Sequence, residues 1–257
     1  MIKLVASDLD GTLLHNYQQT VPKEIYDTIK ALHEKGIIFT AASGRQYANI
    51  RRLFAPLGFD IPYIAENGSM CVYKEEILAT GLTPPKTIRH ILDALMEYRK
   101  IYHTGHCILS VKDTYYSDST DERFIDYMEN DMHNIVTYVY AIKEPIIKAA
   151  ICDFGGTKNL EPFFHKRIGD EIRVVTSADH CIDCIAPKAN KGTALKVLME
   201  KFGIKKEECI CFGDQQNDIE MLKAAGTAYV MATGHPLAKK AADYVVESPL
   251  PVMQGLL

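Results

Sequence analysis

Short apolar runs and amphipathic helical stretches alternate over roughly the first eighty residues, stop, and resume after Pro187. Ile2–Ser7, Ile37–Ala42 and Ile61–Ala65 are nearly continuous apolar segments, the pattern of strands buried on both faces. Between them lie two helical stretches. Pro22–Lys35 places Ile25, Ile29 and Leu32 at helical spacing before Gly36, and Tyr47–Leu57 follows the second strand. Strand–helix–strand–helix–strand implies right-handed crossovers and a parallel sheet. Asn67-Gly68 then marks a turn, with Met70–Tyr73 and Ile77–Ala79 as a hairpin.

Thr83-Pro84-Pro85 breaks this rhythm. Beyond it the pattern predicts a helix over Thr87–Arg99, strands at Cys107–Val111 and Tyr115–Tyr116, and a helix over Asp121–Met132. Strands at Val136–Ala141 and Ile147–Asp153 follow, then a helix over Leu160–Ile168 that must accommodate Pro162. Strands at Ile172–Thr176 and Cys181–Ile185 close the region. Helices interleaved with hairpins suggest an antiparallel sheet with helices on one face. The first rhythm then returns: helix Lys191–Phe202, strand Cys209–Phe212, helix Asp218–Ala225, strand Ala228–Met231, helix Pro236–Ala242, strand Tyr244–Val246. The expected organisation is a discontinuous α/β core, residues 1–83 and 187–257, with an inserted α+β domain, 84–186.

Composition narrows the class. At 257 residues the chain has room for two domains of ordinary size. With 47% hydrophobic and 24% charged residues it reads as a soluble globular protein, not a disordered one. Lys+Arg 29 against Asp+Glu 33 gives a net charge of -4, so no nucleic-acid or membrane partner is expected. No run is apolar for long enough to span a bilayer. Asp8 and Asp10 interrupt the apolar start, which argues against a secretion signal there. Seven cysteines, an odd count, then predict reduced thiols and a cytoplasmic location. The sequence sets no oligomeric state.

Four short segments carry chemistry. Asp8-Leu9-Asp10-Gly11-Thr12-Leu13 directly follows the first strand. Open parallel sheets bind ligands at the carboxyl ends of their strands. There two carboxylates at i and i+2 can reach one site, and Gly11 permits the backbone to unwind. Like charges so close repel unless a cation lies between them, and hard oxygen ligands beside phosphate point to Mg²⁺. Gly213-Asp214-Gln215-Gln216-Asn217-Asp218 is a second acidic cluster at a strand end, with Asp214 and Asp218 one helical turn apart. Asp214 alone would pass for an N-cap; two acidic sites at strand ends are harder to explain as caps. Ser43 in Ala42-Ser43-Gly44-Arg45 offers a hydroxyl at a helix N-terminus, where phosphate binds, and alone it too would read as a cap. Lys191 in Asn190-Lys191-Gly192 opposes the dipole at a helix start, which makes sense if it neutralises an anion.

Together these segments resemble the haloacid dehalogenase superfamily of phosphohydrolases. Within it the chain is most similar to the large-cap, Cof-type (subclass IIB) sugar-phosphate phosphatases. The motifs fall in the family's order, and Glu66-Asn67-Gly68 also recurs in the subclass. Ser43 stands where many relatives have Thr, and Pro187-Lys188-Ala189-Asn190 where they show a Gly and a Ser. Glu247–Leu257 lacks the usual final Asp-Gly and helix. The resemblance implies a Rossmann-like core with an inserted cap, and a Mg²⁺-dependent phosphatase acting on small phosphorylated metabolites. It implies Asp8 as nucleophile and Asp10 as acid and base. It implies Ser43, Gly44, Lys191 and Asn217 around the phosphoryl group. The metal set it implies is the Asp8 carboxylate, the Asp10 carbonyl, Asp214, and Asp218 behind them. A phosphotransferase or mutase of the same superfamily is one alternative, and a non-enzymatic phospho-aspartate switch another.

Other clusters read as structural. Cys181-Ile182-Asp183-Cys184 lacks a second Cys-x-x-Cys, and on a strand its two cysteines face opposite ways, which suits neither zinc nor a disulfide. His103, His106 and Cys107 have no clear fourth ligand. Tyr115, Tyr116, Tyr138 and Tyr140 read as sheet residues.

Overall fold

A computed structural model describes residues 1–14, 19–112, 114–129 and 133–257. Its contacts divide the chain into two compact units, one of 1–45, 50–79 and 190–257, the other of 46–49 and 80–189.

The chain opens with β1 (Leu4–Asp8), α1 (Lys23–Glu34), β2 (Ile38–Ala42), α2 (Tyr47–Phe54), β3 (Tyr63–Ala65), β4 (Met70–Tyr73) and β5 (Glu76–Thr80). Then come α3 (Pro85–Tyr102), β6 (His106–Ser110), β7 (Tyr115–Ser117), α4 (Glu122–Tyr127) and β8 (His133–Ile135). After these lie β9 (Lys148–Cys152), α5 (Thr157–Ile168), β10 (Arg173–Ala178) and β11 (Cys181–Ile185). The return segment holds α6 (Lys191–Lys201), β12 (Cys209–Gly213), α7 (Ile219–Ala224), β13 (Thr227–Met231), α8 (Pro236–Lys239), β14 (Tyr244–Val246) and α9 (Leu250–Gln254). Among the described residues no helix is long and apolar enough to cross a membrane.

In the first unit eight strands form one sheet in the order β14-β13-β12-β1-β2-β3-β4-β5. The six from β14 to β3 pair in parallel, and β4 joins antiparallel to β3. The chain winds from β1 outward through β2 and β3, then from β12 outward the opposite way. The order therefore reverses between β1 and β12, and the crevice of such a sheet opens there, at the carboxyl ends. All five residues of β1 and of β12 are buried, as their continuous apolar runs require. On α1 the buried face is Ile25, Thr28, Ile29 and Leu32, a helical stripe. The C-terminal segment corrects one expectation. It does contain a helix, α9, which packs against α1 with Met253 fully buried. Pro249 and Pro251 disguise it in the sequence, yet prolines are tolerated in a helix's first turn.

The second unit is a six-stranded sheet in the order β10-β11-β9-β6-β7-β8. Its pairs are antiparallel except β7–β8, which is parallel. Helices α3 and α5 cover one face, where Ile91, Leu95 and Phe164 meet Cys107, Ala149, Ile151 and Ile182. Helix α4 is shorter than expected and lies on the opposite face, where Phe124 and Met128 meet Ile108, Ala150, Cys152 and Cys181. The expected end of that helix at Met132 falls outside the described residues. Val136–Ala141 is not a strand. Residues 139–141 form a 3₁₀ turn that buries Val139, while Tyr138 and Tyr140 stack at 4.9 Å.

The cysteines depart from expectation as well. Cys181 and Cys184 do face opposite ways, but Cys181 is bonded to Cys152 on β9. Strand register supplies the partner, because Cys152 lies directly opposite Cys181 in the antiparallel pair. The remaining five cysteines are free and buried.

Candidate active site

Asp8 is the last residue of β1, and Asp214 follows the last residue of β12. These strands are neighbours, with Ser7 beside Phe212, so the two acidic segments meet at one sheet end. On the other side Asp8 lies level with Ala42 of β2, which brings Ser43 alongside.

The first loop turns back at once. Gly11 has φ +88° and its N–H bonds to the Leu14 carbonyl. A β-carbon at Gly11 would stand 2.4 Å from Asp214 Oδ2. Glycine is required there both for the left-handed backbone and for the approach of Asp214. Thr12 Oγ1 donates to Asp214 Oδ1 at 3.2 Å, and Gln215 Nε2 to Asp214 Oδ2 at 3.2 Å.

Lys191 is the first residue of α6, and its side chain has no exposed surface. Asn190 caps that helix, its Oδ1 accepting the Thr193 N–H at 2.7 Å. From this start Lys191 Nζ donates to Asp8 Oδ1 at 2.6 Å and to Asp218 Oδ1 at 2.7 Å. Asp218 uses its other oxygen, Oδ2, to accept the N–H groups of Asp214 and Gln215, each at 2.9 Å. It is thus a clamp that shapes the Asp214 loop and pairs with the lysine. Asp214 and Asp218 share the site, but Asp218 sits in a 3₁₀ turn (216–218) ahead of α7, not inside the helix.

Charge accounts for the titration of this cluster. Burial pushes Asp8 well above the usual carboxylate range; Lys191 opposes this, and Asp218 and Asp214 add to it. Asp214 is raised by burial and then by Asp218, against Lys191, Gln215 and Thr12. Burial alone would lower Lys191, but Asp218 and Asp8 outweigh it and hold the ammonium above its ordinary value.

Oxygens of Asp8, Asp214 and Asp218 lie within 4.8 Å of one another. Three carboxylates against one ammonium leave two negative charges in a buried space. Among the described residues Asp8 Oδ2 has no hydrogen-bond partner, though it is buried. A hard divalent cation fits this donor set, since it supplies the missing charge and takes oxygen ligands.

Asp10 stands apart from that trio. Its carboxylate takes both hydrogen bonds of a forked Arg45 guanidinium, Nε to Oδ2 at 2.8 Å and Nη2 to Oδ1 at 2.6 Å. Ser43 is buried, but it does not cap α2, which begins only at Tyr47. Its hydroxyl instead accepts the Arg45 N–H at 3.1 Å, within the Ser43–Arg45 turn. Asn67 accounts for the space at Gly44, since a β-carbon there would stand 3.0 Å from Asn67 Oδ1. Asn217 reaches the same residue, Nδ2 donating to Asn67 Oδ1 at 2.9 Å.

Asp8, Asp10, Ser43, Gly44, Lys191, Asp214, Asn217 and Asp218 all fall at this sheet end. Arg45, Thr12 and Asn67 join them, and the sequence alone assigns these three no role. The signal for Arg45 is the need of the second carboxylate, Asp10, for a counter-charge.

The model of the haloacid dehalogenase-like hydrolases matches residues 5–249. The 5-amino-6-(5-phospho-D-ribitylamino)uracil phosphatase YbjI of Escherichia coli is 26% identical, over 95% of this chain and 90% of that protein. The HMP-PP phosphatase of Escherichia fergusonii is 26% identical, over 92% of this chain and 86% of its own length. Among solved structures the HAD subclass IIB sugar phosphatase BT4131 superposes with a TM-score of 0.82 at 23% identity, over 99% of this chain and 97% of that one. The chain belongs to the haloacid dehalogenase-like hydrolases, and among them it is a phosphoric monoester hydrolase.

Proposed function

We propose that the protein hydrolyses small phosphorylated metabolites through an aspartyl-phosphate on Asp8, with Mg²⁺ as its cofactor. The observation that carries this is the Asp8 carboxylate itself. One oxygen is held by Lys191, and the other, Oδ2, is buried without a partner among the described residues, at the end of β1. Oδ2 attacks phosphorus; the new P–O bond forms as the ester P–O bond breaks. Asp10 gives its proton to the departing oxygen, so Arg45 must release its hold when substrate binds. Water then attacks the aspartyl-phosphate, Asp10 takes its proton, and phosphate leaves with Asp8 regenerated.

Asp8, Asp214 and the main-chain carbonyl of Asp10 would hold Mg²⁺, with Asp218 supporting Asp214 from behind. Bound there, the dication neutralises charge between the carboxylates and the phosphoryl group. Ser43, the Gly44 backbone, Lys191 and Asn217 are assigned to the phosphoryl oxygens. The inserted domain, 84–186, is assigned the choice of substrate. The breadth of relatives' substrates supports a phosphorylated metabolite as a class and no single compound. A cytoplasmic location belongs to the same proposal.

The test is Asp8→Asn. It is expected to abolish steady phosphate release from an aryl phosphate while keeping the wild-type melting temperature within a few degrees. Full turnover by the pure variant would overturn the proposal. Phosphate release that survives EDTA would overturn the part that concerns Mg²⁺.

A further inference from the structure

Three consecutive residues after β3 hold positive φ angles: Glu66 at 51°, Asn67 at 57° and Gly68 at 89°. Non-glycine residues avoid this region, and a run of them persists only where the surroundings over-determine it. Here the surroundings are the other loops of the site. The Glu66 N–H bonds to the Arg45 carbonyl at 3.1 Å and the Asn67 N–H to the Ser43 carbonyl at 3.0 Å. Gly68 lies on the Asn190–Lys191 peptide, so close that a β-carbon there would stand 2.2 Å from the Asn190 carbonyl. The Asn67 side chain, itself only 2% exposed, lies against Gly44 and accepts the hydrogen bond from Asn217. One short turn thus touches the loop of Ser43, the start of the helix that carries Lys191, and the side chain of Asn217.

We infer that Asn67 is a positioning residue for phosphoryl transfer, setting Asn217 in register with the Ser43–Arg45 loop. The inference rests on the function proposed above. It follows from what the geometry supplies: among the described residues the Asn217 carboxamide is held at Nδ2 by Asn67, while its Oδ1 is buried without a partner. A side chain held at one atom by a rigid neighbour takes its direction from that neighbour. Asparagine is suited to the post because it tolerates the left-handed backbone and carries a carbonyl group directly on its β-carbon.

The test is a double-mutant cycle on Asn67→Gly and Asn217→Ala in the full chain. Glycine keeps the left-handed backbone and removes the whole side chain, the carboxamide included. Wild type and Asp8→Asn are assayed alongside, so that absence of Asp8-dependent turnover reports on the proposed function and not on Asn67. Asn67→Gly is expected to lower kcat/KM by about 10–100-fold, the range for residues that orient a direct contact. It should weaken vanadate binding by a similar factor. The double variant is expected to be no slower than Asn217→Ala alone, because Asn67 acts through Asn217. Asn67→Gly turnover within twofold of wild type would overturn the inference, as would losses that multiply in the double variant. If Asn67→Gly melts far below wild type, Asn67→Asp keeps both an acceptor oxygen and tolerance of the backbone. Retention of the Asn217→Ala effect at full size in that variant supports the inference, and its disappearance overturns it.

Discussion

Replacing Lys191 by methionine should expose how strongly the acidic site depends on one ammonium. The lysine is wholly buried and bonded to Asp8 at 2.6 Å and Asp218 at 2.7 Å, both of them buried as well. Methionine fills similar space and removes the desolvated ammonium, a gain. The loss is larger, since two buried carboxylates are left without their cation beside a third, Asp214. Breaking a buried pair in this way costs about 3–5 kcal/mol. For a unit of this length each kcal/mol moves the melting temperature by about 2–4 °C, so a fall of roughly 6–20 °C is expected in EDTA. Acid should soften the loss, because Asp8 and Asp214 already have raised pKa values and take up protons first. Adding Asp218→Asn to Lys191→Met removes one of the stranded charges yet keeps an oxygen for the two N–H groups. Part of the stability should then return. The measurement is thermal melting of the three proteins in EDTA, followed by circular dichroism. A Lys191→Met protein melting within about 2 °C of wild type would refute the reasoning, since it would mean the carboxylates never needed the ammonium.

Mg²⁺ should raise the melting temperature more at alkaline than at mildly acidic pH. Asp8 and Asp214 are raised in the metal-free protein, so protons compete for these ligands as pH falls through their values. An equal shift at both pH values would contradict this. Gly11→Ala should destabilise the protein by more than about 1 kcal/mol, from its backbone angle and its collision with Asp214. It should also weaken Mg²⁺ binding, by about tenfold or more, measurable by calorimetry. Thiol titration of the unfolded, unreduced chain should find five cysteines and, after reduction, all seven. Seven before reduction would show that Cys152 and Cys181 are not joined.

The parts of the fold legible in the sequence are those set by short-range pattern. β1, β2 and β12 read as strands because burial on both faces makes the runs mostly apolar, with only Ser7, Asp8 and Thr40 polar among them. The stripe on α1 read as a helix for the matching reason. Errors fall where a contact distant in the chain decides. Val136–Ala141 has the composition of a strand, but β8 takes the place beside β7 at residues 133–135, and Val139 turns inward from a 3₁₀ turn. Cys152 and Cys181 are 29 residues apart, and only the register of β9 against β11 makes them partners. Ser43 has the look of a cap, yet whether it caps depends on where α2 starts, and that start is four residues later.

The same division holds within the site, and Lys191 shows why. A lysine at a helix start is locally unfavourable, because its charge opposes the dipole. That local conflict is visible in the sequence and marks the residue as one with a distant purpose. The purpose itself is not visible: its two carboxylates lie 183 and 27 residues away. Asn67 carries no such conflict. Asparagine before glycine in a turn satisfies local rules, although its partner Asn217 lies 150 residues off. A functional residue is therefore legible in one sequence to the extent that it violates the rules of its own segment. Those that satisfy them emerge only when the sheet brings the loops together, which is why the acids and the lysine stand out in the sequence and their holders only in the fold.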